Sequence, residues 1–242
     1  MAKTNQTITI NGRTFTMRTS EFTTNLSPIH VSDKMTGKMN GIPSVSTSCH
    51  QNPYCLARMA KGDYTDKETG KTYKCICKSC FADSTLDRYH GLEDATTNNY
   101  YLLNESILDE SLLPTFGNVR FVRIESYGDL GSVVHAINYL NMIRKNPEIT
   151  FAWWSKNPNF IDQAMKITGG KPENVIMIQS SCYVNLKTEK RFPWIDKVFT
   201  VYDKKFIQEN GLDINCGSRD CVTCKRCYSL KNKETEVSEM LK

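Results

Sequence analysis

Apolar residues along this chain alternate between two spacings. Short, nearly continuous apolar runs are separated by stretches in which apolar positions recur every three or four residues. Ile42 to Thr47 is the first such run, and it ends directly before Cys49. Val119–Ile124, Ile149–Trp154, Val175–Ile178 and Val198–Tyr202 follow and are expected as strands. Between them the helical period predicts three helices. Asp94 caps one that carries Leu103, Ile107, Leu108 and Leu112 on one side and runs to Leu113, with Pro114 closing it. Ser132 caps a second, with Val133, Val134, Ile137, Leu140 and Ile143 at helical spacing, stopped near Asn146–Pro147. The third covers Asn159–Ile167 and ends at Gly169–Gly170. Strands without polar alternation, joined by helices, are buried on both faces, which is the pattern of βαβ units and a parallel sheet. Five strands are too few for an eight-stranded barrel. The expected fold is therefore α/β, either an incomplete (partial) βα barrel or an open parallel sheet, with a cysteine-rich C-terminal cap.

Three segments follow from this pattern. Residues 1–40 form a polar lead-in, residues 41–210 an α/β metal-binding domain, and residues 211–242 a C-terminal cysteine segment and tail. Within the lead-in, Asn11–Gly12 between alternating Thr7–Ile10 and Arg13–Thr16 predicts a hairpin. Between Cys49 and Cys80 a long loop is expected, with a turn over Asp66–Lys71.

Composition narrows the class of protein. The apolar fraction of 39 % is ordinary, and no stretch approaches the roughly 20 apolar residues of a membrane span. The polar N-terminus has no apolar core or cleavage-like site, so a cytoplasmic protein without membrane association is expected. The net charge of +5 permits an anionic partner without specifying one. Basic runs at Lys187–Lys190–Arg191 and Lys225–Arg226 are read as solvated surface.

Cysteine changes that picture. There are ten, and nine lie in two short regions, Cys49–Cys80 and Cys216–Cys227. A reducing compartment does not keep thiols as structural disulfides, so dense and regular cysteines point to metal. The C-terminal run is Cys216-x4-Cys221-x2-Cys224-x2-Cys227. Gaps of two to four residues let a short backbone turn several sulfurs onto one centre, as iron–sulfur ligand loops do. Structural zinc uses similar knuckles, so zinc stands as the alternative metal. The N-terminal set is Cys49, Cys55, Cys77 and Cys80, with Cys75 as an alternate ligand and His50 as a substitute one. It lies just past the first strand, at the sheet edge where ligands collect in α/β proteins. A zinc-stapled loop is the competing reading there.

Polar residues also mark the other strand ends. Glu125–Ser126–Tyr127–Gly128–Asp129 follows the second strand and Ser155–Lys156–Asn157 the third. Gln179–Ser180–Ser181–Cys182 ends the fourth and Asp203 the fifth. In a parallel sheet these converge on one mouth, although capping and turn chemistry favours the same residue types. Glu125, Asp129, Lys156 and Asn157 are the candidate pocket and catalytic residues. Trp153 is expected in the core and Trp154 at the rim, because neighbours on a strand face opposite ways.

These segments together resemble a bacteriophage family known as the gene-product-88 family. The features are the cysteine segment ending Cys80–Phe81–Ala82, the strand with Arg123–Ile124–Glu125–Ser126–Tyr127–Gly128–Asp129, the Trp154–Ser155–Lys156–Asn157–Pro158 strand end and the terminal cysteines. The resemblance covers roughly residues 35–230 and implies a phage origin, hence host cytoplasm, more than an activity. A cysteine loop after the first strand also looks, more distantly, like the radical S-adenosylmethionine enzymes, which hold a 4Fe–4S cluster on three cysteines. That likeness implies three of Cys49, Cys55, Cys77 and Cys80 as ligands and S-adenosylmethionine on the open iron. It further implies cofactor contact at Gly128 and Asp129, and an auxiliary cluster on the C-terminal cysteines. The usual C-x3-C-x2-C triplet is absent, and Cys75-x-Cys77-x2-Cys80 is the nearest run. The resulting expectation is an iron–sulfur redox or radical enzyme with one or two clusters, an electron donor, and a small-molecule or nucleic-acid substrate. The alternative is a zinc-stapled protein that binds nucleic acid or a host protein without catalysis.

Overall fold

The computed structural model describes residues 6–18, 28–217, 220–231 and 233–241. Its centre is a six-stranded parallel sheet. In chain order the strands of the molecule are β1 (Gln6–Ile10), β2 (Arg13–Arg18), β3 (Ser44–Val45), β4 (Tyr64–Thr65), β5 (Thr72–Tyr73), β6 (Ile107–Leu108), β7 (Phe121–Ile124), β8 (Thr150–Ser155), β9 (Val175–Ser180), β10 (Lys197–Tyr202) and β11 (Glu236–Met240). The large sheet runs β3-β7-β8-β9-β10-β11, with every pair parallel. Its spatial order is thus its order along the chain. β3 and β11 are the two edges and do not pair with each other, so the sheet is open.

The two-residue period assigns each strand residue to a face. Val122 and Ile124, Phe151 and Trp153, and Val175 and Met177 point to one side. That side is covered by α3 (His90–Glu105), α4 (Val133–Lys145) and α5 (Pro158–Thr168). Phe121, Ala152, Trp154, Ile176 and Ile178 point to the other side. Among the described residues no long helix covers this second face. Met35, Met39 and Ile42 pack there, together with Tyr228, Cys221 and Cys227 of the C-terminal segment. Trp154 is therefore buried at 8 % exposure under that segment rather than on a rim. Arg123 lies over its ring at 4.0 Å and Tyr228 beside it at 6.0 Å.

Several elements differ from the sequence expectation in instructive ways. The loop between Cys49 and Cys80 contains a helix, α1 (Pro53–Lys61), and the short β4–β5 pair, and a second helix, α2 (Phe81–Arg88), starts directly after Cys80. Asn52 caps α1 by accepting from the Tyr54 amide at 2.9 Å, and Pro53 sits at the first helical position, where its missing N–H costs nothing. The helix expected from Asp94 to Leu113 begins at His90 and stops at Glu105. Ser106 is extended and Ile107–Leu108 become β6. The sheet gains β11, whose Glu-Val-Ser-Glu-Met sequence carries one buried apolar side chain, Val237. The Ser132 cap is present, its Oγ accepting from His135 N at 3.1 Å.

The lead-in is joined to the domain. The hairpin β1–β2 turns at Asn11 and Gly12, both at positive φ, and β2 pairs with β6. Ile8, Ile10 and Phe15 pack against the main core. Asn11 Nδ2 donates to the carbonyl of Ile167 at 2.6 Å, satisfying an orphan group at the end of α5. Asn11→Gly keeps the left-handed turn and removes that bond, so it is expected to lower unfolding free energy by about 1 kcal/mol in urea titration. An unchanged midpoint would show that the hairpin does not brace α5.

Candidate metal centres

In a parallel sheet all strand carboxyl ends lie on one edge, and here those of β3, β7 and β8 are tied together by side chains. Glu125, at φ 60, is buried behind the first of these loops. It accepts from Thr47 N at 3.2 Å, Thr47 Oγ1 at 2.8 Å and Tyr139 OH at 2.8 Å, and His135 Nε2 stands 3.4 Å away. Asp129 Oδ1 accepts from Ser155 Oγ at 2.6 Å and Leu130 N at 2.8 Å, and its Oδ2 accepts from Lys156 N at 2.8 Å. Its backbone carbonyl accepts from Asn52 Nδ2 at 2.5 Å. Burial pushes the Asp129 carboxyl up. Both carboxylates thus hold the loops that carry Cys49 and Lys156, and neither points to open space. Gly128 is required by proximity, since a Cβ there would sit 2.4 Å from the Thr47 carbonyl oxygen. Asp203 belongs elsewhere: it caps α6 (Lys204–Asn210) and bonds Asn185 at 2.6 Å.

The N-terminal cysteines gather around this edge. Cys49, Cys55 and Cys80 pack in one cluster with Ala82, Leu86 and Tyr127. Cys49 hydrogen-bonds Cys80, which raises the first thiol and draws the second down. Cys80 also precedes α2, whose Ala82 and Asp83 amides favour its thiolate. Burial pushes Cys77 up to about 11 and raises Cys55 as well. Burial would lower the Lys156 ammonium, but Cys77, Asp129, Cys80 and Cys182 outweigh it and hold the group above the usual lysine range. Cys75 lies beside Cys77 but is engaged by the backbone. Its thiol donates to the Arg58 carbonyl at 3.5 Å, and its backbone bridges Tyr183. Cys182 is the member the sequence did not single out as a ligand. It interacts with Cys77 and Lys156 across the edge. Its one legible sign is that it is the tenth cysteine, outside both clusters and at a strand end.

One set of three donor atoms among the described residues lies mutually within 4.8 Å: Cys49, His50 and Asp83. His50 is held on both nitrogens, by Glu93 at 2.9 Å and Asp83 at 3.1 Å. A sulfur, an imidazole and a carboxylate suit a single zinc ion.

The C-terminal set is built differently. Cys216 pairs with Glu239 at the sheet edge, its amide donating to Ser238 O at 2.8 Å. Cys221 and Cys224 lie three apart on a single helical turn capped by Asp220. Lys225, left-handed at φ 53, then reverses the chain so that Cys227 returns toward the same point. All four cysteines line one cavity of about 410 Å³. Burial raises Cys216 and Cys221 and pushes Cys227 up to about 12. Lys38 and Arg123 oppose that shift. Lys38 Nζ donates to Cys216 Sγ at 3.7 Å and to Glu239 at 2.7 Å, and Arg123 faces Cys221 and Cys227.

Four soft donors around one cavity, with cations behind them, fit a thiolate-held group. A tetrahedral zinc with Zn–S near 2.3 Å needs sulfurs about 3.8 Å apart. No three of these four sulfurs lie mutually within 4.8 Å, and a multi-iron cluster spans more than one ion does.

An open parallel sheet in sequential order, with cysteines gathered at its carboxyl edge and over its second face, describes a thiol-rich α/β protein. The chain belongs to the Gene product 88 family, whose model matches residues 10–238. No curated protein and no solved structure matches the chain. No helix among the described residues is long and apolar enough to cross a membrane.

Proposed function

We propose that this is an iron–sulfur protein with redox activity, carrying one cluster on Cys216, Cys221, Cys224 and Cys227 and a second on Cys49, Cys55, Cys77 and Cys80. The observation that carries the reading is the convergence of all four C-terminal cysteines on one cavity of about 410 Å³. A cluster bound there by four thiolates would supply one-electron exchange. Lys38 and Arg123 would balance its negative charge. The sheet is then an incomplete βα barrel whose inner face is closed by the C-terminal segment, in keeping with the sequential strand order. Dense free thiols suit a reducing compartment, so we place the protein in the cytoplasm of a phage-infected host.

The substrate pocket in this reading is the cavity of about 560 Å³ at the ends of β8 and β9, lined by Lys156 and Asn157 among others. Glu125 and Asp129 support it from behind. The S-adenosylmethionine form of the reading draws no support from Gly128 and Asp129. The first is filled by Thr47 and the second spends its carboxylate on Ser155, Leu130 and Lys156. A zinc ion at the N-terminal centre is favoured by the Cys49–His50–Asp83 set, and a zinc-stapled binding protein is the second reading. Protein purified without oxygen should be brown and contain iron and acid-labile sulfide in equal amounts. Colourless protein with zinc and no sulfide would replace the redox reading with the zinc-stapled one.

A further inference from the structure

The cavity of about 560 Å³ has a one-sided charge. Five cationic side chains line it: Arg58 and Lys61 from α1, Lys156 from the end of β8, and Lys187 and Arg191 from the segment joining β9 to β10. No carboxylate lines it. Among the described residues only Lys187 of the five has an ion-pair partner, Glu236 at 2.7 Å. Arg58 is held in place with its guanidinium over the rings of Tyr54 and Tyr183, at 5.8 and 5.5 Å, yet its buried Nε has no hydrogen-bond partner. Lys156 has Asp129 near it, and Arg58 Nη1 donates to Tyr183 OH at 3.4 Å, but no carboxylate lines the space itself, and a wall of one charge sign focuses a positive potential into it. The volume suits a small organic ligand rather than a folded partner.

We propose that this cavity binds a phosphorylated small molecule of about nucleotide size. The cations come from three separate elements, and Arg58, Lys61 and Arg191 have no carboxylate partner among the described residues, so a ligand with a single negative charge would leave two of these three uncompensated. Phosphate groups concentrate several charges in a small volume and present oxygens that match a guanidinium fork. The Tyr54 and Tyr183 rings give the uncharged part of the ligand an apolar wall. Lys156 and Cys182 both line the cavity, and Lys156 interacts with Cys77 and Cys80, so the ligand lies beside the N-terminal cysteines. The inference names the substrate class of the pocket proposed above and does not depend on which metal the thiols hold.

Calorimetry on the full chain purified without oxygen tests it, with adenosine 5′-diphosphate as probe and adenosine and citrate as comparisons. Each sample's visible spectrum is recorded alongside, so a failed binding result and a missing cluster are read separately. The diphosphate should bind and adenosine should not. The exposed rim substitutions Lys61→Gln and Arg191→Gln together should weaken binding about tenfold or more, with the spectrum unchanged. Absence of diphosphate binding overturns the proposal, as does equal affinity in the double variant. Citrate binding as tightly as the diphosphate would overturn the phosphate assignment and leave only a site for charge.

Discussion

Replacing Cys216, Cys221, Cys224 and Cys227 together by serine should leave a protein that retains only the iron and sulfide of the N-terminal centre. The hydroxyl of serine is a poor ligand for iron in a cluster, and these four side chains line a single cavity, so no neighbouring thiol is placed to substitute. A second effect follows from packing. Tyr228 follows Cys227 directly and sits 5.2 Å from Phe121 and 6.0 Å from Trp154, helping to cover the second face of the sheet. Metal-ligand bonds that hold a segment are folding free energy, so the variant should also lose stability and show altered tryptophan fluorescence. Cys75→Ser is the control and should keep all its iron, because that thiol is already hydrogen-bonded to the Arg58 carbonyl and a serine hydroxyl can keep that bond. Unchanged iron in the fourfold variant would remove the C-terminal cluster from the proposal.

The carboxyl edge should be equally sensitive to a residue that never meets a ligand. Glu125→Ala strips the partner from the Thr47 amide, the Thr47 hydroxyl and the Tyr139 hydroxyl, all buried. Leaving such groups unpaired costs about 3–5 kcal/mol, a large part of the stability of an ordinary domain. Glu125→Gln keeps one acceptor and the side-chain shape, and its cost should be about half as great. Because Thr47 leads directly into Cys49, the alanine variant should also lose the N-terminal metal while keeping the C-terminal one. Gly128→Ala reaches the same loop from the other side, since its Cβ would sit 2.4 Å from Thr47 O and force the backbone apart. Urea titration with metal analysis separates these effects. A Glu125→Ala protein within about 1 kcal/mol of wild type, with all its metal, would show that the network does not brace the cysteine loop.

Much of this architecture can be read from the chain. Val122, Ile124, Phe151, Trp153, Val175 and Met177 sit in runs whose hydrophobicity demands burial, and burial on both faces demands a parallel sheet. Asn11–Gly12 specifies its turn through left-handed backbone, and Ser132 specifies a helix start through its hydroxyl. The tight spacing of Cys221, Cys224 and Cys227 brings these three thiols to one cavity through a single helical turn and the left-handed Lys225. Each of these is local, set by periods and hydrogen bonds within a few residues.

The features that escaped are those that depend on distant partners. Glu125 looks like a pocket residue in the sequence, but packing of α4 places Tyr139 and His135 beneath it and turns it into a brace. Strand alternation alone puts Trp154 at a rim, but a segment some 70 residues later folds over it. β11 has too little apolar character to announce itself and exists because β10 offers an unpaired edge. Cys182 joins the N-terminal cysteines, and five cations share one cavity, only because the ends of β8 and β9 lie beside α1. Sequence by itself determined the elements, the sheet type and the presence of thiol-rich centres, because those follow from local spacing and the need to bury apolar surface. Tertiary structure alone decided which polar groups are braces and which face open space, because that depends on what the fold brings within hydrogen-bonding reach from far along the chain.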